Sequence, residues 1–104
     1  MSLKQTIRRI LKEEVNEPFF FLRRINFDEV KKRLPSYSQQ VYYETESYKQ
    51  FKYELTLKVV ESIMWDDYKL GWEDLPEEEE IEFVNKVSDE FEKDIKQLYK
   101  RINR

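Results

Sequence analysis

Apolar residues in the C-terminal part of the chain recur at alternating spacings of three and four. The stripe consists of Ile81, Val84, Ser88, Phe91, Ile95, Leu98 and Ile102, with Ser88 as its one polar member. This spacing keeps the stripe on one face of an α-helix over three heptads. Pro76 and the carboxylates Glu77–Glu80 are typical of a helix start, where the dipole favours negative charge. We therefore predict a helix over 76–103.

Capping signals and prolines divide the first third of the chain. A serine–glutamine pair at positions 2 and 5 predicts an amphipathic helix that ends near Asn16. Pro18 predicts the start of a short helical turn. An asparagine–glutamate pair at positions 26 and 29 predicts a further short helix, which we expect Pro35 to end. Residues 1–35 are therefore predicted to form short helices.

The middle of the chain carries a longer amphipathic pattern. Ser36 opens it, and its apolar face contains Tyr37, Val41, Tyr48, Phe51, Leu55, Val59 and Ile63. Ser47 is a second candidate cap, so the segment 36–70 is either one long helix or two helices with a break near 44–47. Gly71 follows the segment, and we expect it to adopt the left-handed conformation that ends many helices.

These elements predict an all-α fold, a small helical bundle in a single domain of residues 1–104. The segments 36–70 and 76–103 would form two long antiparallel helices, with the short N-terminal helices packed across them. No apolar run exceeds four residues. We therefore expect no transmembrane segment and no contact with a membrane.

The residue types needed for most catalytic chemistry are missing. The chain has no histidine, no cysteine and one glycine, so it lacks an imidazole base, a thiolate nucleophile and a glycine-rich phosphate loop. The carboxylate groups at 77–80 and at 66, 67 and 74 lack the spacing of a cation-binding loop. We expect no enzymatic activity, no cofactor and no metal.

The net charge of −3 conceals an asymmetry. Residues 1–35 hold nine basic and five acidic side chains, whereas residues 36–104 hold ten and seventeen. Phenylalanines interleave with the basic set, which is the mixture that binds nucleic acid, but the pI of about 5.2 favours a solvated rim. The candidate contact residues of this set are Arg8, Arg9, Arg23, Arg24, Lys31, Lys32 and Arg33.

The segment between positions 37 and 72 holds more aromatic side chains than one helix face buries. Tyrosine, tryptophan and arginine are the residue types that anchor protein interfaces. Some of these aromatics either lie beneath the N-terminal helices or form a surface for a partner. The candidate contact residues of this second set are Tyr42, Tyr43, Tyr53, Trp65 and Trp72.

The first fourteen residues, MSLKQTIRRILKEE, resemble the N-terminus of small uncharacterised helical accessory proteins of tailed bacteriophages. They are also similar to the capsid-targeting peptides of internal head proteins in some large tailed phages. Those peptides end at a Leu-x-Glu site for the head-maturation protease, and the tripeptide Leu11–Glu13 matches it. The resemblance implies a phage protein in the host cytoplasm or the virion interior.

The leading functional hypothesis is therefore a non-enzymatic protein-interaction module, encoded by a phage, that binds and modulates or blocks a host or viral protein. One alternative is an internal head protein with a capsid-targeting N-terminus. A second alternative is a nucleic-acid-binding protein that uses the basic N-terminal third. A homodimer is a further alternative, because the stripe over 81–102 could pair between two chains.

Overall fold

The computed structural model describes residues 25–103, and within that range the chain forms four α-helices and no strand. The helices are α1 (Phe27–Glu44), α2 (Tyr48–Tyr68), α3 (Glu77–Glu90) and α4 (Glu92–Ile102), and a 3-10 turn spans Trp72–Asp74. The all-α prediction is confirmed. The helices predicted before residue 25 lie outside the described residues.

The second helix, α2, lies at the centre of the bundle. It packs against α1, α3 and α4, and α4 also packs against α1. Arg33 near the start of α1 contacts Asp66 near the end of α2, and Glu44 at the end of α1 contacts Lys58. The two helices are therefore antiparallel.

After the turn that follows α2, the chain reverses and continues through α3 and α4. The Phe27 ring packs edge-on against Phe91, and the Tyr42 hydroxyl donates a hydrogen bond to Asn103, so α1 and α4 run parallel. The core is continuous through all four helices; its buried apolar residues are Val30, Leu34, Val41, Phe51, Leu55, Val59, Val60, Ile63, Met64, Leu70, Trp72, Phe83, Val84, Val87, Phe91, Ile95 and Leu98. The predicted arrangement of two long antiparallel helices is not confirmed.

Pro35 does not end the first helix, and this expectation from the sequence is wrong. The Asn26 side chain caps α1 as predicted, but the helix continues through Pro35 to Glu44. A proline inside a helix costs about 3 kcal/mol. The stripe of Val30, Leu34 and Val41 is fully buried across the proline, and each such side chain contributes about 1.5–3 kcal/mol. The free energy gained by burying these side chains on both sides of Pro35 therefore exceeds the free energy that the proline costs the helix.

The break between α1 and α2 falls where the second cap candidate lies. The Ser47 hydroxyl accepts a hydrogen bond from the Gln50 N–H at 3.2 Å, and the Gln50 side chain accepts one from the Glu46 N–H at 2.9 Å. Two orphan donors at the start of α2 are satisfied in this way. The segment 36–70 is therefore broken near 44–47, but Ser36 does not open a helix as expected, because it lies inside α1, which begins at Phe27.

The left-handed residue at the end of α2 is Lys69, and the expectation for Gly71 is wrong. Lys69 has φ 56° and ψ 37°, whereas Gly71 has an ordinary extended φ of −118°. The Lys69 N–H donates to the Trp65 carbonyl at 2.9 Å, which is the single closing bond of the left-handed cap motif. Turning the chain at Lys69 places Leu70 in the core. The free energy gained by burying Leu70 exceeds the cost of about 1–2 kcal/mol for the left-handed conformation at Lys69.

The predicted helix over 76–103 is interrupted at Phe91, which has φ −106° and ψ 20°. The break follows from packing, because α3 lies mainly against α2 whereas α4 has to reach both α1 and α2. Lys52 of α2 forms ion pairs with Asp89 before the break and with Glu92 after it. Burial lowers the pKa of Lys52, but these two carboxylates outweigh that effect and hold the pKa above its ordinary value.

Replacing Pro35 by alanine should raise the free energy of unfolding by about 1–2 kcal/mol. Alanine restores a backbone N–H to the helix, and the greater freedom of the unfolded chain offsets part of the gain. Urea unfolding followed by circular dichroism measures the change, with the exposed Ser36→Ala as the matched control. A loss of stability in Pro35→Ala would contradict this account of α1.

Lys69→Gly should be more stable than Lys69→Ala by about 1 kcal/mol, because glycine adopts the left-handed conformation without steric cost. Both variants remove the same ammonium group, so their difference isolates the backbone. Thermal unfolding of the two proteins side by side makes the comparison. Equal stabilities would mean that the conformation at position 69 carries no strain.

Candidate protein-interaction groove

An open groove of about 460 Å³ lies between α1 and α2 and ends at the turn after α2. Its lining residues are Tyr37, Gln40, Lys58, Glu61, Ser62, Trp65, Gly71 and Glu73. We call it the α1–α2 groove. Two aromatic rings and several hydrogen-bonding groups converge on it, which is the usual make-up of a recognition site.

Trp65 is the dominant side chain of the groove and remains 53% exposed. It lies on the outward face of α2, because the opposite face carries the buried core positions. The Lys69 ammonium lies 5.8 Å from the centre of its ring, within the range of a cation–π contact. A large exposed indole is the side chain that most often anchors a protein interface.

Two of the basic side chains beside the groove, Lys58 and Arg33, are already paired with carboxylates, whereas Lys69 lies against the Trp65 ring. Lys58 contacts Glu44 at 3.0 Å. Arg33 donates to Asp66 at 2.9 Å, to Glu29 at 3.1 Å and to Ser62 at 3.0 Å. Burial lowers the pKa of Arg33, but the bonds to its carboxylate partners outweigh this and raise the pKa overall. These cations are therefore committed to joining α1 to α2.

Glu61 differs from these acids because it pairs with no cation within residues 25–103. Its carboxylate accepts a hydrogen bond of 3.3 Å from the Trp72 backbone N–H. That contact holds the Glu61 side chain against the turn after α2. The groove therefore holds a negative charge whose ionic partner is not supplied by the described part of the chain.

Glu61 is one of three carboxylates whose charges act on Glu80, and we call the four together the acidic cluster; its members are Glu54, Glu61, Glu77 and Glu80. Burial raises the pKa of Glu80, and the charges of Glu77, Glu61 and Glu54 raise it further. Burial, and then the charges of Glu80, Glu54 and Glu77, raise the pKa of the Tyr53 hydroxyl. The surface beside the groove is therefore strongly negative at neutral pH.

The structure describes three members of the predicted basic contact set, and these three differ in their surroundings. Lys31 and Lys32 are exposed on α1, whereas Arg33 is held by its two carboxylate partners. Arg33 is therefore not free to contact a phosphate group. The remaining four members lie outside the described residues; they are Arg8, Arg9, Arg23 and Arg24.

The predicted aromatic contact set is also divided. Trp72 is 7% exposed, and its indole N–H donates to the Leu57 carbonyl at 2.9 Å. It belongs to the core, so little of its surface is available to a partner. Tyr42 and Tyr53 are half-buried, and Tyr43 is exposed but does not line the groove. Only Trp65 of this set lies in the α1–α2 groove.

Seven of the eight groove residues are not among the contact candidates predicted from the sequence, and Tyr37 and Glu61 show why. Tyr37 was assigned to the apolar face, and it lies half-buried at the groove edge. Glu61 is one of many exposed-type acids in the sequence, and nothing in its neighbours distinguishes it. Its position beside Trp72, eleven residues away, comes from the turn after α2.

Neither a metal cluster nor a membrane-crossing helix is found among residues 25–103. No group of three or more acidic side chains there is arranged to hold a metal ion. None of the helices in that range combines the length and apolar content needed to cross a bilayer. Comparison of the chain with protein-family models, curated proteins and solved structures finds no match.

Glu80→Gln should stabilise the protein at pH 7 by roughly 0.5 kcal/mol, the size of solvent-screened charge effects. The folded pKa of Glu80 is raised, so its ionisation opposes folding above that pKa. The benefit of glutamine should shrink as the pH falls through the folded pKa, and vanish below the ordinary value of about 4.5.

Urea unfolding at several pH values tests this expectation. Glu78→Gln is the matched control, because Glu78 is exposed in the same helical turn and is not a member of the acidic cluster. The two variants carry the same net charge. A stabilisation of equal size in both would show that the cluster has no local effect.

Proposed function

We propose that this chain is a non-enzymatic protein-interaction module and that the α1–α2 groove is its contact surface. The observation that carries the proposal is the exposed Trp65 within a groove of hydrogen-bonding and charged groups. Exposed aromatic anchors surrounded by polar groups are typical of protein interfaces. The partner is a host or viral protein that the module modulates or blocks.

The phage origin forms part of this proposal and depends on the resemblance of residues 1–14. The placement of short N-terminal helices across the bundle is likewise proposed, because those residues precede the described range. The head-protein alternative depends on residues 1–14. The nucleic-acid alternative depends mainly on basic residues that also precede residue 25. No observation on α1–α4 favours either alternative over a protein contact at the groove.

Trp65→Ala should weaken the proposed contact by about 2 kcal/mol or more, roughly thirtyfold in affinity, as truncation of a central interface tryptophan does. The tagged full chain is used to recover partners from lysate of the organism that encodes it or of its host, and mass spectrometry identifies them. The matched control is Tyr43→Ala, because Tyr43 is 74% exposed but lies outside the groove.

Partners recovered by the wild-type chain and by Tyr43→Ala but lost in Trp65→Ala would support the groove as the contact surface. Circular dichroism of both variants checks that the fold is retained. Partners retained at full yield by Trp65→Ala would contradict the proposal, and so would a wild-type chain that recovers no stoichiometric partner.

A further inference from the structure

The ring of Trp65 already has a cation beside it. Lys69 follows one turn after Trp65 and ends α2 in the left-handed conformation. The ammonium lies 5.8 Å from the ring centre. The face of a tryptophan attracts cations because its π-electrons carry negative charge. The chain itself therefore shows that this indole accepts a positively charged group.

The groove offers further groups that suit a cation. Tyr37 supplies a second aromatic ring, and Glu61 supplies a carboxylate with no cation partner among the described residues. Both oxygens of a carboxylate accept hydrogen bonds, and only one of those of Glu61 is engaged by the Trp72 N–H. Lys58 does not compete for Glu61, because it is paired with Glu44.

The acidic cluster extends this negative charge towards α3. Glu61 belongs to both the groove and the cluster, so the two surfaces are continuous. A partner that lies along this line meets aromatic rings first and then several carboxylates. Phosphate groups would be repelled here, whereas a segment with more than one basic side chain would be attracted along its length.

We infer that the α1–α2 groove binds a basic peptide segment of a partner protein, with an arginine or lysine side chain against Trp65 and Tyr37 and paired with Glu61. The inference rests on the proposed function and names the chemistry of the partner. Arginine suits the site better than lysine, because its planar guanidinium stacks on aromatic rings and donates two parallel hydrogen bonds to a carboxylate.

The test is a titration of the ¹⁵N-labelled full chain with an acetylated and amidated tetra-arginine peptide, followed by the two indole N–H resonances. Trp65 is exposed in the groove, whereas Trp72 is buried with its N–H bonded to Leu57. We expect the Trp65 resonance to shift with saturation and the Trp72 resonance to stay in place. The tetra-glutamine peptide with the same end groups is the neutral control and should move neither resonance.

Glu61→Gln should weaken the binding of the arginine peptide about tenfold, since it removes the paired charge and keeps an acceptor for the Trp72 N–H. Glu78→Gln makes the same change of charge outside the acidic cluster and should weaken binding less than twofold. An unchanged Trp72 resonance in each variant shows that the turn after α2 is intact.

Three outcomes would overturn the inference. The first is a Trp65 resonance that does not move with the arginine peptide, and the second is an equal weakening in Glu61→Gln and Glu78→Gln. The third is a shift of Trp65 on concentrating the protein alone, which would make a second copy the occupant. If the peptide fails but Trp65→Ala loses its protein partners, the proposed function stands without this partner chemistry. If the peptide binds but those partners are retained, the proposed function fails instead.

Discussion

Burial of α2 on more than one side is the constraint on which the rest of this structure depends. The helix buries two adjacent rows of side chains, represented by Phe51 and Leu55 in one row and Thr56 and Val60 in the other. An α-helix apolar over so wide an arc is stable in water only when neighbours cover it from several directions. In residues 25–103 the bundle meets this requirement with α1, α3 and α4 arranged around α2.

The interruption at Phe91 and the left-handed turn at Lys69 both allow neighbouring segments to cover α2. The interruption at Phe91 lets α4 contact α1 as well as α2, and Lys52 joins the two sides of the interruption through Asp89 and Glu92. The left-handed Lys69 returns the chain over the end of α2, so that Trp72 enters the core. That same turn brings the Trp72 N–H to Glu61 and completes the edge of the groove.

The groove is the open surface between α1 and α2 outside the core. Its exposed indole and its carboxylate lie one turn apart on α2, so the same helix that organises the core also supplies the recognition groups. Pairing of Arg33 with Asp66 and of Lys58 with Glu44 ties α1 to α2 on that side. The site is therefore supported by rigid elements, which favours specific binding because little ordering is needed.

Local signals in the sequence determined the helical class and several helix starts. The caps at Asn26 and Ser47 and the acidic first turn after Pro76 are predictable, because each involves groups only two or three residues apart. The absence of histidine and cysteine is likewise read directly from the sequence.

Only the tertiary structure decided the passage of α1 through Pro35, the left-handed turn at Lys69 and the exposure of Trp65 rather than Trp72. In each case, contacts between residues distant in the chain stabilise the observed conformation by more free energy than the local conformational preference costs. A pattern of neighbouring residues does not contain those contacts, so the groove and the place of Glu61 within it emerge only once the helices are packed.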